Sequence, residues 1–249
     1  MSPHWRLIPF FQGPGPLQMA IDCWLFEQCH EGLQPPTLRF YTWSPPALSL
    51  GHHQRQWPNH WQGLKWHDRP LDIVRRPTGG RAVLHAGDLT YSIVLTQQSG
   101  NRRETYEYIC GFLIQGLKAL GVELQFGQTG RGYQRQANCF ESATAADLIG
   151  PNGEKLIGSA QVWHGSTVLQ HGSIQLNPHP DLFQQVFGKE TCSGDSTIAS
   201  PKAWPIALDA TIRALTQSSE NYFKKTFIEQ PLTPAEWNAI QDYLKLTEV

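Results

Sequence analysis

The amino-acid sequence predicts an α+β fold, in which helices pack on one side of a mixed or antiparallel β-sheet. Segments with the alternation and residue types of strands dominate the middle of the chain, and segments with helical periodicity flank them. The chain has 249 residues, of which 40% are hydrophobic and 16% are charged. That length and composition are enough for one large domain with a buried core.

The first segments alternate between helix and strand. Residues 16–32 predict a largely buried helix, which Pro16 can begin because proline is accepted in the first turn. Residues 37–43, TLRFYTW, alternate and are rich in aromatic and β-branched side chains, which favours a strand. Residues 44–54 are expected to form a turn and loop, because two adjacent prolines interrupt strand pairing.

The central segments continue the alternation. Residues 71–95 predict a strand, a glycine-rich loop, a second strand, a tight turn and a third strand. Residues 105–121 carry apolar side chains at the i, i+3, i+4 and i+7 positions of a helix, which Gly121 would end. Cys110 lies on that apolar stripe, so we expect it in the core.

The last predicted elements are a hairpin, a strand and a C-terminal helix. The sequence PNGE at 151–154 has Asn-Gly at its centre and predicts a turn between two strands. Residues 166–176 predict the next strand. Thr233 can cap a helix whose capping box is completed by Glu236. The prediction is therefore one domain over 1–200 and a helical segment over 201–249, packed on it or appended to it.

Charge and cysteine content exclude several classes of partner and site. The formal net charge is −1 and the isoelectric point is about 6.8, so no single-sign field is available to hold nucleic acid or an anionic membrane. A local charged patch could still serve a partner protein. Five cysteines without C-x-x-C spacing support neither a zinc site nor a disulfide framework. With no apolar run of membrane-spanning length and no secretion signal at the N-terminus, we expect a cytoplasmic protein.

Two segments have features of a ligand site. Gly79 and Gly80 permit close approach to the main chain, and the neighbouring arginines, Arg75, Arg76 and Arg81, would suit an anionic or polar group. The alternative is a basic hairpin turn with solvated arginines. Lys155 begins a strand in which small residues follow, at Gly158, Ser159 and Ala160. Small side chains in a strand mark a close approach of another group, or else a bulge.

Histidine and cysteine provide the remaining candidates. His171 and Gly172 break the pattern of a strand, although a lone histidine is more often structural than catalytic, as also holds for His85, His52 and His53. Cys139 would be a nucleophile as its thiolate if a cation such as Lys155 lay nearby; otherwise it is an inert thiol. Cys192 lies in a polar loop and is the second candidate.

Seven stretches, taken together and in order, resemble the lipoate–protein ligase and octanoyltransferase family, whose catalytic domain is shared with biotin–protein ligases. They are QMAID (18–22), LRFYTWSPPALSLGHHQ (38–54), VRRPTGGRAVLH (74–85), DLTYSIV (88–94), CFESATAADLI (139–149), GEKLIGSAQ (153–161) and LQHGSIQL (169–176). The resemblance covers roughly residues 5 to 200. It implies a mixed, largely antiparallel β-sheet flanked by helices, in a biotin/lipoate ligase-like catalytic domain.

The resemblance also separates two mechanisms. Ligases of the family activate lipoate with ATP and magnesium and commonly have Asn-Asp where this chain has Cys139-Phe140. The Cys-Phe version resembles transferases that take an octanoyl group from acyl carrier protein, or from an acylated carrier domain, through a cysteine thioester. Arg81, in place of a third glycine, is also closer to those transferases. Another transferase branch keeps its cysteine later in the chain, near Cys192, but TCSGD lacks that branch's Pro-Cys-Gly pattern.

The resemblance implies an octanoyltransferase that modifies one lysine of a lipoyl domain, with Cys139 as nucleophile and Lys155 as its electrostatic partner. The Gly79-Gly80 loop and the strand segment 158–160 would frame a tunnel for the acyl chain. Backbone N–H groups near Gly172 and Ser173 would be the oxyanion donors. The expected acyl- and substrate-binding residues are Arg76, Gly79, Gly80, Arg81, His85, Gly158, Ser159, Ala160, His171, Gly172 and Ser173.

The same resemblance implies the cofactors and partners. No cofactor or metal is required by a transferase, whereas ATP and Mg would be needed by the alternative, a lipoate–protein ligase. The expected partners are acyl carrier protein and lipoyl domains, either the glycine-cleavage H protein or 2-oxoacid dehydrogenase subunits. We expect a monomer that binds no nucleic acid and no membrane. A non-catalytic acyl-binding protein with the same fold is the remaining alternative.

Overall fold

The computed structural model describes residues 4–96, 100–127, 147–188, 203–204 and 206–249. Cys139 and Cys192 lie outside the described residues. The helices are α1 (Gly15–His30), α2 (Arg102–Lys118), α3 (Pro180–Phe187), α4 (Leu208–Phe223) and α5 (Pro234–Gln241). The strands are β1 (His4–Gly13), β2 (Thr37–Trp43), β3 (Ala47–Leu50), β4 (Lys65–Trp66), β5 (Arg69–Pro70), β6 (Asp72–Arg75), β7 (Val83–His85), β8 (Asp88–Thr96), β9 (Gln125–Phe126), β10 (Asp147–Ile149), β11 (Lys155–His164), β12 (Thr167–Gln175) and β13 (Thr226–Glu229).

A large mixed sheet forms the centre of the molecule, as predicted. Its strand order is β13-β1-β2-β8-β12-β11-β10-β9. β1 runs parallel to both β13 and β2, and the remaining neighbours are antiparallel. A smaller sheet of order β6-β3-β7 lies beside it, and β4 pairs with β5.

Helices cover both faces of the large sheet, so the expectation of helices on one side is wrong. Val94 and Leu169 pack with α1 and with Ile240 of α5. Ile93 and Val168, their neighbours along the same strands, pack instead in the cluster that contains the apolar stripe of α2 and Leu215 of α4. Since successive side chains of a strand point to opposite faces, both faces of β8 and β12 are buried. Strands buried on both faces lack the polar alternation that marks a one-sided sheet.

Part of the expected loop at 44–54 is a strand, which corrects that prediction. Residues Ala47–Leu50 are buried and pair in parallel with β6 and antiparallel with β7. The two prolines precede this segment. Each of its four residues therefore has the amide hydrogen that strand pairing requires. Ser49 of β3 lines the cavity described below.

The first strand and the C-terminal segment are joined by pairing and by a buried arginine. β1 has Pro9 in its middle, where its register with β2 shifts. Arg6 of β1 is 2% exposed and donates to Gln230 O at 3.1 Å, to Pro231 O at 2.8 Å and to Glu236 Oε1 at 2.7 Å. The segment 201–249, expected to be helical, therefore also contributes strand β13. The division into 1–200 and 201–249 stays a prediction.

The other expected elements are confirmed. α1, α2, β2, β11 and β12 lie where periodicity or alternation predicts them. The capping box of α5 is present, with Thr233 accepting from Glu236 N at 3.2 Å. No helix within the described ranges is long and apolar enough to cross a membrane.

Candidate active site

A cavity lies where the small sheet, the glycine-rich loop and the β11–β12 hairpin meet α1 and β2. It encloses about 480 Å³ of empty space, including its open mouth. Apolar groups in its lining come from Met19, Tyr41, Trp43 and Val83. Of the eleven predicted binding residues, Arg81 does not line the cavity. The ten that do are Arg76, Gly79, Gly80, His85, Gly158, Ser159, Ala160, His171, Gly172 and Ser173. We call this cavity the acyl pocket, after the ligand that the family resemblance implies for these residues.

The small residues of β11 and β12 form one wall of the acyl pocket because the strands place them opposite each other. Gly158 pairs with Ser173 and Ser159 pairs with Gly172. A Cβ atom on Gly172 would lie 2.5 Å from Ser159 Oγ and 2.7 Å from both Gly158 O and Tyr91 Cε1. Glycine at 172 therefore lets the two strands and Tyr91 approach closely.

Lys155 lies beside the same wall, on the first residue of β11. Its Nζ is 2.9 Å from Asp147 Oδ1, and the two side chains are only 4% and 5% exposed. The hairpin brings this pair together, because Asp147 on β10 lies opposite Gly158 on β11. A Cβ atom on Gly158 would lie 2.9 Å from Lys155 Cε and 3.2 Å from Nζ. The absence of a side chain at 158 thus makes room for the lysine at the pocket wall.

Substitution of Gly158 by alanine is expected to displace the lysine ammonium. It should slow the acyl transfer that the family resemblance implies by about 10- to 100-fold, the cost of moving a positioned group by an ångström or so. The contacts of the new methyl group are with a flexible side chain, so the fold should survive. The measurement is single-turnover transfer, with the thermal unfolding midpoint as the control. A variant with normal turnover would contradict the placement of Lys155 in the reaction.

The glycine-rich loop is held by Arg76, which is 5% exposed. Its Nη1 donates to Ser49 O at 2.7 Å, and its Nη2 donates to Gly79 O at 2.8 Å and to Arg81 O at 2.7 Å. Gly80 has a φ of +101°, which favours glycine. The guanidinium therefore fixes the shape of the loop through backbone carbonyls, a role that the sequence did not indicate.

His85 is fixed at the polar side of the acyl pocket by three neighbours. Its Nδ1 is 2.8 Å from Asp88 Oδ2 and its Nε2 is 2.9 Å from Ser49 Oγ. Its ring stacks on Trp43 with centroids 4.0 Å apart. Ser173 Oγ donates to the same carboxylate at 2.6 Å. Both ring nitrogens of His85 are thus occupied, and Asp88 ties β7, β8 and β12 together.

His171 is fixed in the same way by a second buried carboxylate. Its Nδ1 is 2.9 Å from Asp22 Oδ2 and its Nε2 is 2.7 Å from Thr78 Oγ1, in the glycine-rich loop. Burial lowers the pKa of His171 despite the nearby carboxylate. Burial alone would raise the pKa of Asp22, but Arg39 and His171 outweigh it and the pKa is lowered. The lowered pKa favours the neutral imidazole, and His171 links the loop to the sheet through these two bonds.

Asp22 also anchors β2. Arg39 Nε donates to Asp22 Oδ1 at 2.8 Å, and Tyr41 OH donates to Oδ2 at 3.0 Å. The side chains of Arg39 and Asp22 are 2% and 0% exposed. A further bond runs from Arg39 Nη2 to Gln18 O at 2.7 Å. This network fixes Tyr41, which lines the acyl pocket.

The cysteines that the structure describes are poor nucleophiles. Burial, and then the neighbouring Asp22, raise the pKa of Cys23 to about 12. Burial also raises the pKa of Cys110 to about 12 and raises that of Cys29. Because the thiolate is the reactive form, these thiols stay inert near neutral pH. Within the described ranges, no group of three or more His, Cys, Asp or Glu could hold a metal ion.

The chain matches a family model, the Lipoyl protein ligase A/B catalytic domain, over residues 14–218. It belongs to this family.

Members of the family with assigned names include transferases. An octanoyltransferase, LipM, of Moorella thermoacetica is 41% identical over 185 residues, covering 71% of this chain and 67% of the relative. The octanoyltransferase LipM of Clostridioides difficile is 32% identical over 258 residues, covering 96% of this chain and 94% of the relative. The resemblance read from the ordered motifs is confirmed.

Solved structures show the same fold. A bipartite lipoate protein ligase, described with its E2 lipoyl domain from Thermoplasma acidophilum, superposes with a TM-score of 0.73 at 20% identity. The match covers 97% of this chain and 92% of that one. The lipoyl protein ligase A/B fold is therefore confirmed, in agreement with the expected mixed sheet flanked by helices.

Sequence reasoning missed several residues of this pocket. Met19, Tyr41, Trp43, Ser49 and Thr90 all line the acyl pocket. Each lies in a stretch that carries the family resemblance, which was the available signal. Asp147 also lies in such a stretch, but its pairing with Lys155 depends on the hairpin register, which the motif does not indicate.

Proposed function

We propose that this protein is an octanoyltransferase of protein lipoylation. It would take a medium-chain acyl group from acyl carrier protein, or from an acylated carrier domain, and pass it through a thioester on Cys139 to a lysine of a lipoyl domain. The observation that carries the proposal is the buried Lys155–Asp147 ion pair against the Gly158 wall of an apolar pocket. The transferase names of the relatives agree with it.

The pocket suits a hydrocarbon chain bound next to a reactive carbonyl. Met19, Tyr41, Trp43 and Val83 offer apolar surface to the chain. Each methylene buried there contributes about 0.8 kcal/mol, which favours a medium chain over a short one. The chain's thioester end would then lie toward Gly158 and Lys155.

Two steps balance without an external energy source. The Cys139 thiolate attacks the donor thioester carbonyl, the donor sulfur leaves and takes a proton, and an acyl-cysteine forms. The acceptor lysine, as the free amine, then attacks that carbonyl, forms the amide and releases the Cys139 thiolate and a proton. Thioester exchange is nearly thermoneutral and the amide is more stable, so the transfer needs neither ATP nor Mg.

Lys155 would stabilise charge in both steps. Its ammonium lowers the energy of a nearby thiolate and of the oxyanion that develops on the carbonyl. Asp147 holds the ammonium in place, so its position does not depend on bound substrate. The inert thiols at 23, 29 and 110 leave Cys139 and Cys192 as the nucleophile candidates.

The test is a covalent adduct. The protein is incubated with octanoyl-carrier protein, and mass spectrometry is expected to show a hydroxylamine-labile octanoyl group. Cys139→Ala should abolish the adduct and the modification of a lipoyl domain, whereas Cys192→Ala should keep both.

The other outcomes each contradict part of the proposal. An adduct that persists in Cys139→Ala and disappears in Cys192→Ala would move the nucleophile to Cys192. Modification of a lipoyl domain from free lipoate, ATP and Mg, retained in Cys139→Ser, would identify a ligase instead. Tight octanoate binding without turnover on any carrier would identify an acyl-binding protein.

A further inference from the structure

A second, larger cavity adjoins the acyl pocket. It encloses about 1250 Å³, open to solvent, and it shares Arg76 and Gly79 with the acyl pocket. Its basic side chains are Arg75 and Arg76, His52 and His53 from the loop after β3, and Arg102 from the start of α2. We call this cavity the basic cleft.

The basic cleft is positively charged within a nearly neutral protein. Three arginines and two histidines line it, and its described lining residues include no aspartate or glutamate. The whole chain carries a formal charge of −1. The cleft lining is therefore more positive than the chain as a whole, and its electrostatic potential would attract an anion. His52, His53 and Arg102 are exposed and so accessible to a ligand.

β11 connects the two cavities and sets their separation. Residues 158–160 of this strand line the acyl pocket, and residues 161–163 line the basic cleft. Lys155 Nζ lies beside Gly158, and Trp163 is five residues further along. At about 3.3 Å per residue, these two points are about 17 Å apart along the strand. An extended pantetheine arm can span that distance between its thioester and its phosphate.

We infer that the basic cleft binds the phosphodiester of a phosphopantetheine arm on the acyl donor. The inference rests on the proposed octanoyltransferase function and adds a subsite to it. The arm would run along β11, with its thioester at Gly158 and its phosphate near Arg102 and the paired histidines. The acceptor lysine has no phosphate, so this subsite serves only the first step.

The experiment compares two donors that share one thioester. Octanoyl-4′-phosphopantetheine and octanoyl-pantetheine differ only in the phosphate. We expect the phosphorylated donor to acylate the protein with a KM at least tenfold lower, and the difference to shrink as salt is raised. The double variant Arg102→Gln/His53→Gln should lose most of this advantage while its rate with octanoyl-pantetheine stays unchanged.

Arg103→Gln is the matched control. Arg103 is adjacent to Arg102 and is also exposed, but it is paired with Glu107 at 2.7 Å and does not line the cleft. This variant should behave as the wild type with both donors. Equal KM values for the two donors, or equal effects of the two sets of substitutions, would overturn the inference.

A binding measurement separates this inference from the proposed function. Titration calorimetry with 4′-phosphopantetheine and pantetheine, which carry no acyl group, needs no turnover. Preferential binding of the phosphorylated compound that is lost in Arg102→Gln/His53→Gln supports the subsite. Absence of that preference overturns the subsite, even if both octanoyl donors acylate the protein. Failure of both donors to acylate would instead count against the transferase proposal.

Discussion

Replacing Lys155 with glutamine is expected to slow acyl transfer by about 10²–10³-fold, which is the usual cost of removing one group that stabilises an oxyanion. Glutamine is close in length and removes the charge. The loss should appear in the single-turnover rate of acyl-cysteine formation rather than in donor binding, because the ammonium acts on charge that develops during the reaction.

The ion pair makes a control for folding necessary. Without Lys155, the Asp147 carboxylate stays 5% exposed and loses its cation, which destabilises the fold. The double variant Lys155→Gln/Asp147→Asn removes both charges and should regain stability while staying as slow as Lys155→Gln. Asp147→Asn alone keeps the Lys155 ammonium but removes the carboxylate that holds it in position. The rate of this variant should fall between those of the wild type and of Lys155→Gln. A Lys155→Gln rate within threefold of the wild type would rule out the electrostatic role.

Replacing Arg39 with methionine is expected to lower the free energy of unfolding by about 3–5 kcal/mol, the cost of leaving a buried charge without its partner. Methionine keeps part of the aliphatic stem but removes the guanidinium, which lies over the Tyr41 ring and donates to Gln18 and Asp22. The change removes the cation from the Asp22 carboxylate, whose side chain is 0% exposed. Urea unfolding followed by circular dichroism should show a lower midpoint with an unchanged slope.

Two further variants test whether burial is the reason. Arg103→Met breaks the solvent-exposed pair with Glu107 and should leave the unfolding midpoint unchanged, since exposed pairs contribute little. Arg39→Met/Asp22→Asn removes the orphaned charge and should be more stable than Arg39→Met alone. Equal stability of the double variant and Arg39→Met would show that the ion pair itself is not what the core depends on.

Local sequence patterns were sufficient to predict the elements that depend on neighbouring residues alone. The apolar stripe of α2, the Thr233 capping box and the Asn-Gly turn before β11 are each read from a few neighbouring positions, and each is confirmed. β1 and β3 were missed because proline within or before each segment argues against a strand. Their place in the fold depends on partners far away in the sequence, as does the burial of β8 and β12 on both faces.

The sequence likewise predicted some features of the candidate site and not others. The ordered motifs indicated ten of the residues that line the acyl pocket, because the resemblance associates those residue types with a binding surface. They did not indicate that Arg76 holds backbone carbonyls, or that Asp147 pairs with Lys155. Those roles arise from loop shape and strand register, which residue types alone do not specify.

The pairing of β1 with β13 affects the order in which the chain can fold as it is synthesised. The first strand has one neighbour available early, β2, but its other neighbour ends only at Glu229. Until the ribosome has released that region, Arg6 is without Gln230, Pro231 and Glu236, and the edge of β1 is open to other strands. The nascent chain therefore completes its sheet only after Glu229 has left the ribosome.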